Sequence, residues 1–446
     1  MVVLIPEDVQ VDKLINYCSI DQKLNADMLF YLMALIYIIP SGRKDKVYIN
    51  GYIPFNAKIL QGISRDYRYH LDFLITYGYL ESDRSYVAGS KSIGYKFTPK
   101  YSGNSLKPIK IASNQLANKI RRGRLEISTV LKYPHLAKWW DWIEIDVEGA
   151  TKCSLNLFML DLQNGKSMRE SEIKHNSRIA TIHSINNKDY LFKQCEYGRL
   201  HTNLTYLKKE LRNYITCNGE QLTEVDLKNS QPYFFLEMLE KYQNLKSKKE
   251  EVKNSRIHIS QYQNLVPTTF YYYIIMIVKD SETPIEWDYE LFNYLVETGK
   301  LYEFIQKYFE SELGSNYFYK FVNHESEIRS YVKQELVFRS FYGKKMYGNL
   351  ELLSTIFPVA YGAIQHYKKN DYTKLAHLLQ RVEAKYILNI VTKRVSRIEP
   401  DAPMFTIHDS IATTEKYVGL VRAQLEKYLI ENLGTAPTLM ISKWSD

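Results

Sequence analysis

The sequence predicts an α+β protein of two or three domains. A small amino-terminal unit of helices closed by a hairpin precedes a larger unit with an antiparallel sheet and helical insertions. Three observations carry this. The chain has 446 residues, 45% of them hydrophobic, which suffices for more than one core and is too apolar for wholesale disorder. Its first hundred residues run helix, helix, helix, hairpin. Beyond residue 195, two short strand-like runs each deliver an aspartate, Asp226 and Asp409, with a long, largely helical interval between them.

Asn25 is placed to cap a helix over residues 28–38. An extended piece, 47–54, follows, and a second helix, 56–62, ends at Gly62. Ser64 is expected to cap a third, 65–77, with Tyr67, Leu71 and Leu74 on one side and Arg65, Arg68 and Tyr69 elsewhere. Gly78 closes it, 79–83 begins a strand, Gly89-Ser90 turns, and 94–98 returns. The stretch AKILQGISRDYRYHLDFLITYGYLESD…GSKSIGYKFTPKY resembles winged-helix domains of phage and plasmid replication proteins, over about residues 24–101. That resemblance implies nucleic-acid contact by the third helix and wing, with Arg65, Arg68, Lys91 and Lys96 on phosphates. A protein-docking module with a solvated basic face is the alternative.

The net charge of +9, from 59 Lys+Arg against 50 Asp+Glu, suits a polyanionic partner. The 38 tyrosines include faces able to stack on unpaired bases, though most tyrosines simply pack. Cys18, Cys153, Cys195 and Cys217 lack zinc-ligand spacing and read as free thiols in a reducing cytoplasm, that of a bacterial host. No secretory signal is expected, and the longest apolar stretch, 28–39, is too short for a bilayer. Residues 105–135 collect Lys107, Lys110, Lys119, Arg121, Arg122, Arg124 and Lys132, either as a linker or as the start of a basic helix. Asp146 and Glu148 form an Asp-x-Glu pair of the kind proofreading exonucleases use. The further carboxylates and the length of such a domain are lacking, so the pair is set aside. Residues 246–253 read as a charged, exposed insertion, Trp139 and Trp140 as core, and His70 and His377 as packing or solvated groups.

The chemistry lies beyond residue 195. In LTEVDLKNSQPYFF a strand ends near Asp226 and a helix begins, with Pro232 acceptable in its first turn. In PMFTIHDSIATTEKY a hairpin carries His408-Asp409 at its tip. Two carboxylates far apart in sequence but close in space can hold paired divalent cations, and Mg²⁺ needs few protein ligands because it keeps several waters. Between and around them lie YGRLHTNLTYLKKELR, EIRSYVKQELVFRSFYGKK and LLQRVEAKYIL. In this order the five elements resemble those of A-family, right-hand nucleotide polymerases, over about residues 196–446.

The resemblance implies a palm with an antiparallel sheet, helical fingers and a small thumb. It divides the chain into a winged helix (1–104), a basic linker and thumb-like helical region (105–195), and palm and fingers (196–446). It implies two Mg²⁺ ions on Asp226 and Asp409, with Mn²⁺ as a substitute. Arg329 and Lys333 would hold a nucleoside triphosphate, and Arg199, Gln380 and His408 would meet primer or template.

Three departures bear on this. Lys333 to Tyr342 is one residue longer than the family spacing, and one residue turns a helix by about 100°. Either the helix carries a π-bulge or Phe341 takes the stacking place. Gln231 stands where DNA polymerases of the family carry Glu, and Ser410 follows Asp409 where they carry another Glu. Both lean toward admission of ribonucleotides. The expected function is therefore a mobile-element or phage primase-polymerase on single-stranded or primed DNA, served by a replicative helicase, with no membrane partner. A primer-dependent DNA polymerase and a non-catalytic DNA-binding replication or defence protein are the alternatives.

Overall fold

The computed structural model describes residues 1–41, 48–103, 105–246, 287–344 and 352–445. Most of the charged insertion expected at 246–253 lies outside these residues. Among the described residues no helix is long and apolar enough to cross a membrane.

The amino-terminal unit is built around the helix Ala26–Ser41, buried from Asp27 to Tyr37. Asn25 caps it, its side-chain oxygen accepting from the Met28 amide at 2.9 Å. Buried Asp27 accepts from the Ala112 and Ser113 amides, tying the helix to the segment that enters the helix Asn114–Arg124. A helix this apolar needs cover on all sides. It receives it from the strand Val2–Pro6, the helix Tyr67–Thr76 and the helix Met168–Asn186.

The helix Ala57–Ile63 is capped by Asn56, and a three-stranded antiparallel sheet sets Gly94–Phe97 between Ile53–Pro54 and Leu80–Ser82. Ser64 is not the cap of the third helix. It closes the second through its own amide to Leu60, and Asp66 holds the N-cap position. The linker reading of 105–135 also gives way. Leu106–Lys110 is a strand paired along its length with Val2–Pro6, and the basic run forms the helices Asn114–Arg124 and Ile127–Lys132. The amino-terminal core accordingly runs from Val3 to Ile120. Asp146, set aside as a metal ligand, caps the helix Val147–Gln163 by accepting from the Gly149 amide.

The larger core surrounds an antiparallel sheet. Its central strand, Glu220–Leu227, pairs on one side with Ser410–Thr414 and on the other with Leu439–Lys443. Phe405–Ile407 extends one edge, and Ile215–Cys217 and Ile143–Ile145 extend the other. The helix Glu415–Leu433 packs on this sheet. The helix Ser230–Lys246 leaves the central strand and packs against Lys374–Ala384, which continues through π-helical turns (Lys385–Val391) into Thr392–Ile398. Trp287–Glu297, Leu301–Leu313 and Glu325–Tyr331 belong to the helical interval between the two aspartates.

Candidate active site

Asp226 sits one residue before the end of its strand and directly opposite Ser410. Ile407 pairs with Ser410, so His408 and Asp409 are the whole loop of a two-residue hairpin, with His408 left-handed at φ 57°. A non-glycine residue there costs about 1 kcal/mol or more, strain that persists only where the surroundings fix it. The register therefore sets the two aspartates side by side.

Burial raises the proton affinity of both carboxyls. Asp226 is pushed up to about 7, with the charges of Asp409 and Glu224 adding to burial and Lys333 and Arg212 opposing it. Asp409 is also raised by burial, against a hydrogen bond from Ser230 and the charges of Arg199 and Lys333. Each remains partly accessible. Two crowded, accessible, oxygen-only ligands fit a hard divalent cation, which would relieve their repulsion. Among the described residues no group of three or more His, Cys, Asp or Glu could hold a metal, so Asp226 and Asp409 would leave most coordination positions to water and substrate.

An acid whose folded pKa is raised contributes stability that is complete below its unfolded pKa and is lost as pH climbs through the folded one. For Asp226 that window runs from about 4 to about 7. Metal-free Asp226→Asn is therefore expected to melt above the parent protein at pH 8, with the gap closing toward pH 4. Thermal melts in chelator across that range check this. A gap that widened toward acid would contradict it.

The helix Glu325–Tyr331 continues through π-helical turns at Val332–Phe338 into Arg339–Tyr342. These π-helical turns lie largely between Lys333 and Tyr342. Phe341, the alternative candidate for base stacking, is 2% exposed and packs against Phe235 in the core, which leaves it no open face. Tyr342 instead points its hydroxyl at Gln231, donating to Oε1 at 2.6 Å. Lys333 lies near enough to oppose the shifts of both aspartates. Arg329 is turned outward, 2.6 Å from Glu303 and with its guanidinium over the Tyr302 ring.

Gln231 connects onward. Its Nε2 donates to Glu383 at 2.7 Å, and Glu383 takes a two-pronged bond from Arg199 at 2.8 and 2.6 Å. Arg199 leaves the hairpin Phe192–Gln194/Leu200–Thr202 beside Gly198, whose φ is 89°. A Cβ at Gly198 would stand 3.0 Å from the Ala384 Cβ, so glycine is what lets this turn approach the helix that carries Glu383. Burial pushes Glu383 up to about 7 despite Arg199. A four-residue chain, Arg199–Glu383–Gln231–Tyr342, thus joins the hairpin, the helix Lys374–Ala384, the helix Ser230–Lys246 and the far end of the π-helical segment.

Gln380 lies one turn before Glu383, half-buried, and His408 stands edge-on to His201 at 6.3 Å. Arg65 and Arg68 are exposed on the amino-terminal unit, Arg68 bonded to the Tyr67 hydroxyl. Lys91 and Lys96 pair with Asp83 and Glu81 at 2.9 and 3.4 Å. Sequence reasoning missed Glu383, Glu224 and the bond from Ser230.

No protein-family model and no curated protein matches the sequence. Among solved structures, the chain is similar to the POL domain of Pol1 from M. smegmatis in complex with DNA primer-template and dNTP. The TM-score is 0.32 and the identity 13%, over 74% of this chain and 73% of that one. A likeness at that distance carries no weight for function.

Proposed function

We propose that the chain is a template-directed nucleotidyltransferase acting on DNA, a primase-polymerase that makes short products in replication of a mobile element or phage. The observation that carries this reading is the Asp226–Asp409 pair, set side by side by strand register with Lys333 in charge range of both. Bound there, two Mg²⁺ ions would supply activation of a 3′-hydroxyl and neutralisation of the departing pyrophosphate. The protein's own part is placement. Asp226 and Asp409 hold the cations, and the Ser230 hydroxyl orients Asp409. Lys333 binds the triphosphate as a point charge, and Arg329 joins it by exchanging Glu303 for phosphate. Tyr342, its hydroxyl donating to Gln231, packs on the nascent base pair, and Arg199, Gln380 and His408 border the primer–template path.

Synthesis on unprimed single-stranded DNA tests this, comparing ribo- with deoxyribonucleotides. Short products from ribonucleotides support a primase-polymerase. Extension only from an added primer would make it a primer-dependent polymerase, and no incorporation under either condition would remove the enzymatic reading.

The helix order and three-stranded sheet of the amino-terminal unit support a winged-helix module, with Arg65 and Arg68 exposed to solvent where phosphate can meet them, Arg68 keeping its bond to the Tyr67 hydroxyl. Lys91 and Lys96 would first have to leave their acidic partners. Deleting residues 1–104 would uncover the helix Met168–Asn186, so charge reversal is the cleaner test. Arg65→Glu with Arg68→Glu should lower the slope of log affinity against log salt by about two, if each contacts one phosphate. An unchanged slope would make the unit a docking module.

A further inference from the structure

We propose that Glu224 is a positioning residue for the cation site, acting through Ser410 to hold Asp409 against Asp226. The inference rests on the metal-binding reading of that pair. Glu224 lies two residues before Asp226, so the two side chains share one face of the strand. It is 7% exposed and fully engaged. The Ser410 hydroxyl donates to Oε1 at 2.5 Å, while Arg212 Nη1 and Trp444 Nε1 donate to Oε2 at 2.9 and 3.0 Å. Ser410 is itself 1% exposed, and its hydroxyl also lies 3.0 Å from the Ile407 carbonyl across the His408-Asp409 loop. One buried carboxylate therefore gathers four segments: the turn Lys209–Tyr214, the central strand, the hairpin and the chain beyond Leu439–Lys443.

Stability alone is a poor account of this cluster. A buried ion pair is often no better than apolar packing of the same volume. Its position says more. Among the described residues the side chain that links Glu224 to the hairpin tip is Ser410, which is bonded to Asp409 through the backbone and stands opposite Asp226. Both Glu224 oxygens already accept hydrogen bonds, and among the described residues Glu224 does not join Asp226 and Asp409 in a group of three that could hold a metal, so it is not assigned as a ligand. It fixes where the ligands are.

The test is Mn²⁺ binding to the full-length, nucleotide-free protein by equilibrium dialysis, beside thermal melts and the Mg²⁺ dependence of incorporation. Groups that orient metal ligands typically change metal affinity by 10- to 100-fold when removed. Ser410→Ala, which deletes one hydroxyl and leaves the Arg212–Glu224 pair intact, should weaken Mn²⁺ binding about tenfold in a protein that still folds, with a melt lowered by the unpaired buried acceptor it leaves on Glu224. Ser410→Thr should keep the affinity. Glu224→Gln should weaken it as well, and adding Ser410→Ala to Glu224→Gln should weaken it no further, because both act through one contact. Mn²⁺ affinity within about twofold of the parent in folded Ser410→Ala would overturn the proposal. Absence of Mn²⁺ binding by the parent would overturn it together with the polymerase reading. A parent that binds Mn²⁺ but makes no product would sink the polymerase reading alone, since the dialysis arm decides this one.

Discussion

Asp409→Ala is expected to lower nucleotide incorporation by about a thousandfold or more, at any Mg²⁺ concentration, while the protein stays folded. The magnitude follows from the number of ligands. With two carboxylates and no third acid gathered among the described residues, loss of one halves the protein's hold on the cations. Water cannot restore the lost placement. The fold should survive because Asp409 is a source of repulsion: its charge raises the proton affinity of Asp226. Asp226→Asn should behave alike. Lys333→Ala should cost less, about a hundredfold, and chiefly in KM for the nucleotide, because it contributes one charge to a polyanion. Single-turnover incorporation on primed and unprimed templates measures all three. Parental rates in Asp409→Ala would remove the metal assignment, and with it the function proposed above.

How much of this was legible depended on whether the signal was local. The Asn25 cap, the strand ending near Asp226 and the hairpin at Asp409 all announce themselves within a few residues, through caps, alternation and turn residues. The segment 105–110 did not. Its partner strand begins the chain, and Lys107 and Pro108 interrupt any alternation. The pairings of Lys91 with Asp83 and Lys96 with Glu81 cross the hairpin, so they depend on a register that residue order leaves open. The spacing from Lys333 to Tyr342 posed a choice between a π-bulge and Phe341 that residue order left open, and the structure has π-helical turns at Val332–Phe338 with Phe341 buried. Phe341 fills a hole against Phe235, which leaves Tyr342 to face Gln231. Glu383 carried a readable trace. It continues the row Leu375–Leu379 at intervals of four along the buried face of its helix, where a carboxylate must have a partner. The partner, Arg199, lies on a hairpin remote in sequence, which no helical periodicity could name.

Glu383→Ala is expected to destabilise the protein by about 3–5 kcal/mol, because it strands the Arg199 guanidinium, itself largely buried, without its carboxylate. For a domain of about 150–250 residues that is a fall in Tm of roughly 6–20 °C. The same loss should not appear when both charges go. Burial holds the Glu383 carboxyl up near 7 even with Arg199 beside it, so keeping it ionised has a net cost. Arg199→Met combined with Glu383→Leu should therefore recover most of the stability. Activity should not follow. Without Glu383 the Gln231 amide has nothing to orient its Nε2, and the Tyr342 hydroxyl loses a fixed acceptor, so the end of the π-helical segment is no longer held in one place against the helix that begins at Ser230. A stable double variant with impaired incorporation would separate the two roles: the ion pair serves placement, and the surrounding apolar packing serves the fold. If the double variant melted as low as Glu383→Ala, the pair would be carrying net stability, and the chain from Arg199 to Tyr342 would be part of the scaffold rather than of the active site.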